Sequence, residues 1–247
     1  MEPKARLGVS GARRRTRSLL KYMQNSLRGN SLFIDFDSTF VKVETIDEIA
    51  KLTLDGDPNK QDKIKRISAV TSQAMCGEID FPTALNLRLQ TLNIDRDAIN
   101  QVTESIGSLV SDSFNKNKNI IKENAADIWI ISGGFTQVIA PIVREFGITR
   151  DHILANDFIF SGDQVSGCDK ENFLFQDKGK IKAINSVDTP NSRVMIGDGY
   201  TDLEVYLEGA ANQFICYTEN ISRDKVLEKS RYSAGSFSEI LDILHQI

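Results

Sequence analysis

Two acidic residues, with one residue between them, follow a short apolar run near the start of the chain. Leu32, Phe33 and Ile34 suit a buried strand, and Asp35 and Asp37 come directly after it. Alternate residues of an extended chain share a face, so the two carboxylates repel unless a cation or a shared proton offsets them. Mg²⁺ accepts one or two carboxylates and leaves room for a substrate phosphate. The alternative is an ordinary acidic turn.

Two stretches in the middle of the chain carry groups typical of phosphate binding. The apolar run 128–131 ends in Ser132, Gly133 and Gly134, which can present a hydroxyl and backbone N–H groups to a phosphate. Lys178 stands where a helix is expected to begin, and its ammonium can bind phosphate as a point charge. Taken singly, each has a plainer explanation: a turn for the glycines and a solvated surface side chain for the lysine.

A third apolar run, 193–196, also ends in acidic residues. Asp198 lies between two glycines and is a candidate metal ligand, and Asp202 follows four residues later. Asp202 alone could simply cap the helix that begins there. Open α/β sheets place their ligand site at the carboxyl ends of the strands, so one site could gather all of these groups.

The elements that must position these groups alternate between strands and helices. We expect a Rossmann-like parallel sheet flanked by helices, of class α/β, with a β-hairpin near 158–165 and closing helices at 221–229 and 237–245. Four helical patterns between 45 and 110 predict a small all-helical cap inserted after the first strand. The α/β core would then comprise 31–44 and 111–247.

One cation in the cap is placed unusually. Phe81, Leu85, Arg88 and Leu92 are spaced by four, three and four residues, so Arg88 lies on the apolar stripe of its helix. A cation there is costly without an anionic partner. The alternative is an arginine at the edge of the stripe, with its charged head in water.

The composition limits the classes of protein to which the chain can belong. Its 247 residues are 40% hydrophobic, enough for a core, and no apolar run approaches the roughly 20 residues of a membrane span. Three widely spaced cysteines suggest reduced thiols rather than a disulfide framework. The two histidines, His152 and His245, form no zinc-site pattern with them.

Residues 1–30 form a basic head that differs from the rest. They carry eight Lys or Arg and one Glu, a net charge of +7, and the overall charge of −4 therefore leaves −11 on the remainder. An acidic body argues against nucleic-acid binding. The head resembles an organellar transit peptide, but a disordered tail or an upstream start codon explains it more simply. We therefore expect a cytoplasmic protein, or an organellar one if the head is a transit peptide.

The stretches that contain candidate catalytic or binding residues, taken together and in chain order, resemble the four motifs of the haloacid dehalogenase (HAD) superfamily. They are Asp35–Thr39, Ser132–Gly134, Lys178 and Gly197–Asp202. The resemblance extends from Ser31 to the C-terminus. Within the superfamily the chain is most similar to the phosphoserine phosphatases, because their opening segment resembles 35–51 and their cap pattern resembles 74–88.

The resemblance implies a role for each core residue. Asp35 would be the nucleophile, and Asp37 the general acid and then base. Mg²⁺ would be held by the Asp35 carboxylate, the Asp37 main-chain carbonyl and Asp198.

Further core residues are implied to bind the phosphoryl group or to support the metal site. Ser132, the Gly133 N–H and Lys178 would hold the phosphoryl oxygens. Asp202 would orient the metal site, and Thr201 would line the pocket.

In the cap, the resemblance implies recognition of an amino acid. Glu44 would meet the substrate ammonium and Arg88 its carboxylate, while Met75 and Phe81 would pack over the substrate. Cys76 stands where the family usually has glycine, and its side chain could crowd a backbone contact to the substrate.

The implied activity is Mg²⁺-dependent hydrolysis of O-phospho-L-serine through an aspartyl-phosphate, the last step of serine biosynthesis. The alternatives are a phosphatase or phosphotransferase for another small phosphate ester, and a non-catalytic phosphate-binding protein. The expected partner is a small phosphorylated substrate, without nucleic acid or membrane, and a homodimer stays open.

Overall fold

The computed structural model describes residues 27–76 and 78–247, without the Met75 side chain. In this part of the chain, the strands form a six-stranded sheet and a two-stranded hairpin. The strands are β1 (Asn30–Ile34), β2 (Ile128–Phe135), β3 (Ile153–Asn156), β4 (Phe158–Ser161), β5 (Gln164–Cys168), β6 (Ser192–Gly197), β7 (Gln213–Tyr217) and β8 (Tyr232–Ala234).

The large sheet is parallel and has the order β3-β2-β1-β6-β7-β8. The predicted α/β, Rossmann-like class is confirmed. Strand β1 lies in the middle, and the strand order reverses around it, so a crevice is expected between β1 and β6. Leu32 and Ile34 pack into one apolar cluster and Phe33 into another, because alternate side chains of a strand point to opposite faces.

Helices cover the sheet and also form a group between β1 and β2. That group is α1 (Thr45–Thr53), α2 (Lys60–Met75), α3 (Phe81–Leu89) and α4 (Arg96–Gly107). The others are α5 (Asp112–Lys116), α6 (Lys118–Glu123), α7 (Thr136–Arg144), α8 (Gly179–Asn185), α9 (Tyr200–Leu207), α10 (Asp224–Leu227) and α11 (Phe237–Leu244).

We refer to helices α1–α4 as the cap. Helix α4 packs on α7 of the core, and α1 packs against both α2 and α4. The β4–β5 hairpin makes a second attachment, in which the Val165 N–H donates to the Ile94 carbonyl at 2.8 Å. The Arg96 guanidinium also lies over the Phe160 ring, 3.8 Å from its centroid. The α4 end of the cap is thus fixed to the core at two places.

The C-terminal region differs from the sequence prediction. A helix was expected over 221–229, but helix α10 covers only Asp224–Leu227. Strand β8 was not predicted, because three residues are too short a run to show a periodicity. The basic head falls outside the described residues up to position 26. None of the helices described is long and apolar enough to cross a membrane.

Candidate active site

The turn after β1 presents both acidic residues of the first stretch. The Asp35 N–H donates to the Ile196 carbonyl at 2.9 Å, which joins the end of β1 to that of β6. Residues Phe36–Phe40 then form a π-helical turn in which Asp37 is extended and Ser38 is left-handed, with φ of 56°. A left-handed serine is strained, which is common at functional sites.

A buried cluster of three carboxylates lies at the carboxyl ends of β1 and β6. Asp35, Asp198 and Asp202 offer oxygens within 4.8 Å of one another, and all three residues are buried. Lys180 Nζ lies 2.9 Å from Asp35 Oδ1 and 2.6 Å from Asp202 Oδ1. Burial, followed by the Asp202 charge, raises the pKa of Asp35 well above its usual value, although Lys180 opposes this. The cluster is therefore short of positive charge.

The lysine in this cluster is not the one that the sequence analysis selected. Lys178 was expected to hold the phosphoryl group, but its ammonium pairs with Glu208 at 2.5 Å and is 44% exposed. Lys178 precedes α8 in a left-handed conformation, with φ of 54°, whereas Lys180 lies in the first turn of the helix. The difference arises because Gly179 packs against the chain before it: a Cβ there would lie 2.2 Å from the Phe173 carbonyl oxygen. The structure thus brings Lys180, and not Lys178, into contact with Asp35 and Asp202.

The second carboxylate of the turn, Asp37, has a different environment. Its Oδ1 accepts hydrogen bonds from the Thr45 N–H, at 3.1 Å, and from the Thr45 hydroxyl. Burial raises the pKa of Asp37 to about 6, although Thr45 and more distant cations lower it. A carboxyl group with such a pKa can hold and release a proton near neutral pH.

The expected phosphate loop lies at the end of β2. Ser132 is buried, and its Oγ accepts from the Gly134 N–H at 2.9 Å. Asn156, which the sequence analysis did not select, donates from Nδ2 to the Gly133 carbonyl at 2.9 Å and to the Leu174 carbonyl at 3.3 Å. It therefore joins the loop to the segment that leads to Lys180. Its only sequence signal was a polar residue at the end of a strand.

Glu44 lies above the carboxylate cluster, at the start of the cap. Its Oε1 accepts from the Ser38 hydroxyl at 2.7 Å and lies 3.6 Å from the Arg223 guanidinium. Burial, followed by the charges of Asp37 and Asp198, raises the pKa of Glu44 to about 8. Glu44 thus adds a further carboxyl group to an acidic region.

Arg88 comes from α3 of the cap and is 5% exposed. Its guanidinium donates to the Ala84 carbonyl at 3.1 Å and to the Thr71 hydroxyl at 3.2 Å. Burial lowers its pKa, while the carboxylates of Glu44, Asp47 and Asp37 raise it from a distance. The side chain is buried rather than extended into water, contrary to the stripe-edge alternative.

A cavity of about 30 Å³ joins these groups. Most of the predicted residues line it: Asp35, Asp37, Glu44, Phe81, Arg88, Ser132, Gly133 and Thr201. Phe81 closes one side, since a Cβ on Gly133 would lie 2.3 Å from the Phe81 ring. Beyond Phe81, a larger cavity of about 270 Å³ opens along α8, and Lys178 lines that one. The space next to the carboxylates is large enough for only a water or two.

Arg223 belongs to the site although no motif pointed to it. Its Nε donates to Asp198 Oδ2 at 2.7 Å, and the other Asp198 oxygen accepts from the Thr39 hydroxyl at 3.1 Å. Arg223 is therefore shared between Asp198 of the core and Glu44 at the start of the cap. It comes from the loop after β7, where a single arginine gives no local signal.

The geometry agrees with a family model. Residues 32–206 match the model of the haloacid dehalogenase-like hydrolases. The chain belongs to this family. The match begins in β1 and ends in α9, so it includes the carboxyl ends of β1, β2 and β6 but not the loop that carries Arg223.

Two relatives of this chain are both named phosphoserine phosphatases. A chloroplastic phosphoserine phosphatase of Arabidopsis thaliana is 29% identical over 214 residues, covering 85% of this chain and 70% of the relative. Human phosphoserine phosphatase is 26% identical over 222 residues, covering 88% and 94%. The chain is thus a phosphoric monoester hydrolase of the HAD family.

Solved structures show the same fold. A phosphoserine phosphohydrolase-like protein from Francisella tularensis superposes with a TM-score of 0.77 at 29% identity, covering 87% of this chain and 99% of that one. A phosphoserine phosphatase holding a phospho-aspartyl intermediate analogue superposes with a TM-score of 0.68 at 21% identity, covering 87% and 98%. The second likeness supports the fold alone.

Proposed function

We propose that this HAD hydrolase converts O-phospho-L-serine to L-serine and phosphate, with Mg²⁺ and an aspartyl-phosphate at Asp35. The observation that carries the proposal is the shared cavity, which joins the carboxylates of the core to Glu44 and Arg88. Its core side can bind a phosphate. Its cap side offers the Glu44 carboxylate to an ammonium group and the Arg88 guanidinium to a carboxylate, the two charged groups of an amino acid. The names of the relatives support this substrate.

The donor set fits a hard divalent cation. Three buried carboxylates face two cations, Lys180 and Arg223, so negative charge remains. Burial, followed by the Asp202 charge, also raises the pKa of Asp198, although Arg223 opposes this. Asp35, Asp198 and the Asp37 main-chain carbonyl would hold Mg²⁺, and Asp202 would orient the site. When bound, Mg²⁺ supplies the positive charge that lets a carboxylate approach an anionic phosphate.

The first half-reaction transfers the phosphoryl group to Asp35. Among the described residues, the donors to the Asp35 carboxylate are the Phe36 N–H, at 2.8 Å, and Lys180. Both donate to Oδ1. Oδ2 is therefore left to attack phosphorus, and the bond from phosphorus to the serine oxygen breaks. The Asp37 carboxyl proton moves to that oxygen, so serine leaves as an alcohol.

The second half-reaction restores the enzyme. The Asp37 carboxylate takes a proton from water, whose oxygen attacks phosphorus. The bond from phosphorus to Asp35 breaks and phosphate leaves. The pKa of Asp37, about 6, allows the same group to give the proton and to take it back.

The cap supplies recognition and shielding. Arg88 already lies at the cavity without an ion pair among the described residues, so a substrate carboxylate would compensate its buried charge. Glu44 would meet the ammonium. A phosphorylated amino acid is several times larger than the cavity of about 30 Å³, so Phe81 must move away before the substrate binds.

Another small phosphate ester, or transfer to an acceptor hydroxyl, is the second candidate. Cys76 favours it, because this partly exposed residue is the C-cap of α2, at the position where the resemblance predicts glycine. A side chain there restricts a backbone approach that glycine would permit.

The test compares phosphate release from three esters in the presence of Mg²⁺. L-phosphoserine carries both recognition groups, O-phosphoethanolamine lacks the carboxylate, and phosphoglycolate lacks the ammonium. We expect phosphoserine to be preferred by about 10-fold or more over each, the value of one charged hydrogen bond. Asp35→Asn controls for contaminating phosphatases. Turnover of another ester but not of phosphoserine would overturn the substrate, and no turnover at all would favour a phosphate-binding protein.

The remaining proposals concern location and partners. The partner is a small phosphorylated molecule. We place the protein in the cytoplasm, with an organelle as the alternative, since the plant relative is named as chloroplastic.

A further inference from the structure

The loop 218–223, between β7 and α10, touches the site at several points, although no motif lies in it. Its first anchor is Glu219, whose carboxylate accepts from the Ser113 N–H at 3.0 Å and from the hydroxyls of Ser113 and Tyr217. Its last residue, Arg223, pairs with Asp198. The loop is therefore fixed at both ends, and Asn220 lies between them.

The Asn220 amide points into the turn that follows Asp35. Its Nδ2 lies 3.0 Å from the Ser38 carbonyl, 3.2 Å from that of Thr39 and 3.4 Å from that of Val41. It also donates to the Ser111 hydroxyl at 2.7 Å, and this hydroxyl in turn donates to the Thr39 carbonyl at 2.7 Å.

The turn needs such a donor because of its backbone conformation. Ser38 is left-handed, and the carbonyls around it converge instead of continuing along a strand. Ser38 and Thr39 are buried, so unpaired carbonyls there would cost free energy. Ser38 follows Asp37 directly, so the hydrogen bonds that hold the Ser38 and Thr39 carbonyls also hold the backbone next to Asp37.

We propose that Asn220 is a positioning residue that holds the turn 36–40 so that Asp37 can give its proton to the leaving group. The proposal rests on the proposed function, since it assumes that Asp37 is the general acid. Asn220 contacts the backbone of the turn rather than the carboxylates. Its loss should therefore affect proton transfer more than phosphate binding.

The experiment compares two substrates that differ in their need for a proton. L-phosphoserine releases an alkoxide that must be protonated, whereas acetyl phosphate releases acetate, which needs no proton. We measure kcat/KM for both with Asn220→Asp, which keeps the shape but loses the donor, and with Asn220→Ala. Asn191→Ala is the control, because Asn191 is also half-buried and donates from Nδ2, to Asp127 at 2.9 Å, far from the turn.

We expect kcat/KM for phosphoserine to fall about 10- to 100-fold in both Asn220 variants, which is part of the 10²–10⁴-fold effect of a general acid. For acetyl phosphate, kcat/KM should fall less than about threefold. The control should match the unmodified enzyme. Should Asn220→Ala unfold on heating scans, Asn220→Asp carries the test. An equal loss with both substrates, or none, would overturn the proposal.

Asp37→Asn, measured in parallel, separates this failure from a failure of the proposed function. If Asp37→Asn loses phosphoserine turnover selectively but the Asn220 variants do not, only the role of Asn220 is wrong. If Asp37→Asn shows no selectivity between the substrates, the general-acid role is wrong, and the proposal for Asn220 with it.

Discussion

Two parts of the site differ in whether their buried charged side chains form direct ion pairs. We call Asp35, Asp198, Asp202 and Lys180 the floor, and Glu44, Phe81 and Arg88 the roof. On the floor, carboxylates and lysine pair directly at 2.6–2.9 Å. On the roof, Arg88 is equally buried, but its bonds go to a carbonyl and a hydroxyl, while carboxylates act on it only from a distance.

We infer from this difference that the floor carries out the reaction and that the roof selects the substrate. Charges that are already paired are pre-organised and serve any phosphate that reaches them. A buried guanidinium without a direct ion pair gains most when a substrate supplies the carboxylate. We therefore expect floor variants to lose turnover with every ester and roof variants to lose the preference for one ester.

The largest effect is expected at Asp35. Asp35→Asn keeps the shape but removes the nucleophile, so kcat should fall about 10⁴-fold or more for every phosphate ester. Steady-state phosphate release measures this, with the exposed Asp151→Asn as the matched control. A variant that keeps a tenth of the activity would remove Asp35 from the chemistry.

The next effect distinguishes Lys180 from Lys178. Lys180→Met leaves Asp35 and Asp202 unpaired, so kcat should fall about 10²- to 10³-fold and stability by about 3–5 kcal/mol. Lys178→Met removes only an exposed pair with Glu208 and should leave thermal unfolding nearly unchanged. Activity and thermal unfolding are measured for both. If Lys178→Met were the inactive variant, the sequence prediction would be restored.

Arg88 should show a smaller effect that depends on the substrate. Arg88→Ala should lower kcat/KM for phosphoserine about 30- to 100-fold, which corresponds to the loss of a charged hydrogen bond. It should change kcat/KM for O-phosphoethanolamine, which lacks the carboxylate, about threefold or less. The ratio of the two values is the measurement. An unchanged ratio would mean that Arg88 supports the cap and does not read the substrate.

The smallest effect concerns the contact between floor and roof. Gly133→Ala places a Cβ 2.3 Å from the Phe81 ring, so the cap should close less well and kcat/KM should fall about 5- to 10-fold. Adding Phe81→Leu should restore part of the loss. Gly235→Ala, whose Cβ would meet nothing closer than 3.7 Å, is the control. No loss with Gly133→Ala would show that the cap works without this contact.

The same comparison explains how much of the molecule the sequence could predict. The strand ends could be predicted, because a short apolar run followed by a polar residue is a local signal, and a parallel sheet brings such ends together. Lys180 was missed because the choice between two lysines depends on how Gly179 packs against Phe173. Asn220 was missed because its partners in the turn after β1 are more than a hundred positions away. Arg223 was missed because its partners, Asp198 and Glu44, lie in other elements and no periodicity links it to them. Sequence patterns show which groups end a strand, but not which distant loop holds them.

The central claim is that Asp35 carries the phosphoryl group during turnover, and trapping tests it most directly. The enzyme is mixed with Mg²⁺ and phosphoserine, quenched in acid within one turnover, reduced with borohydride and mapped by mass spectrometry. Reduction of an aspartyl-phosphate converts that aspartate to homoserine. We predict homoserine at position 35, absent when phosphoserine is omitted. Homoserine at another position, or full turnover without any trapped intermediate, would contradict the account.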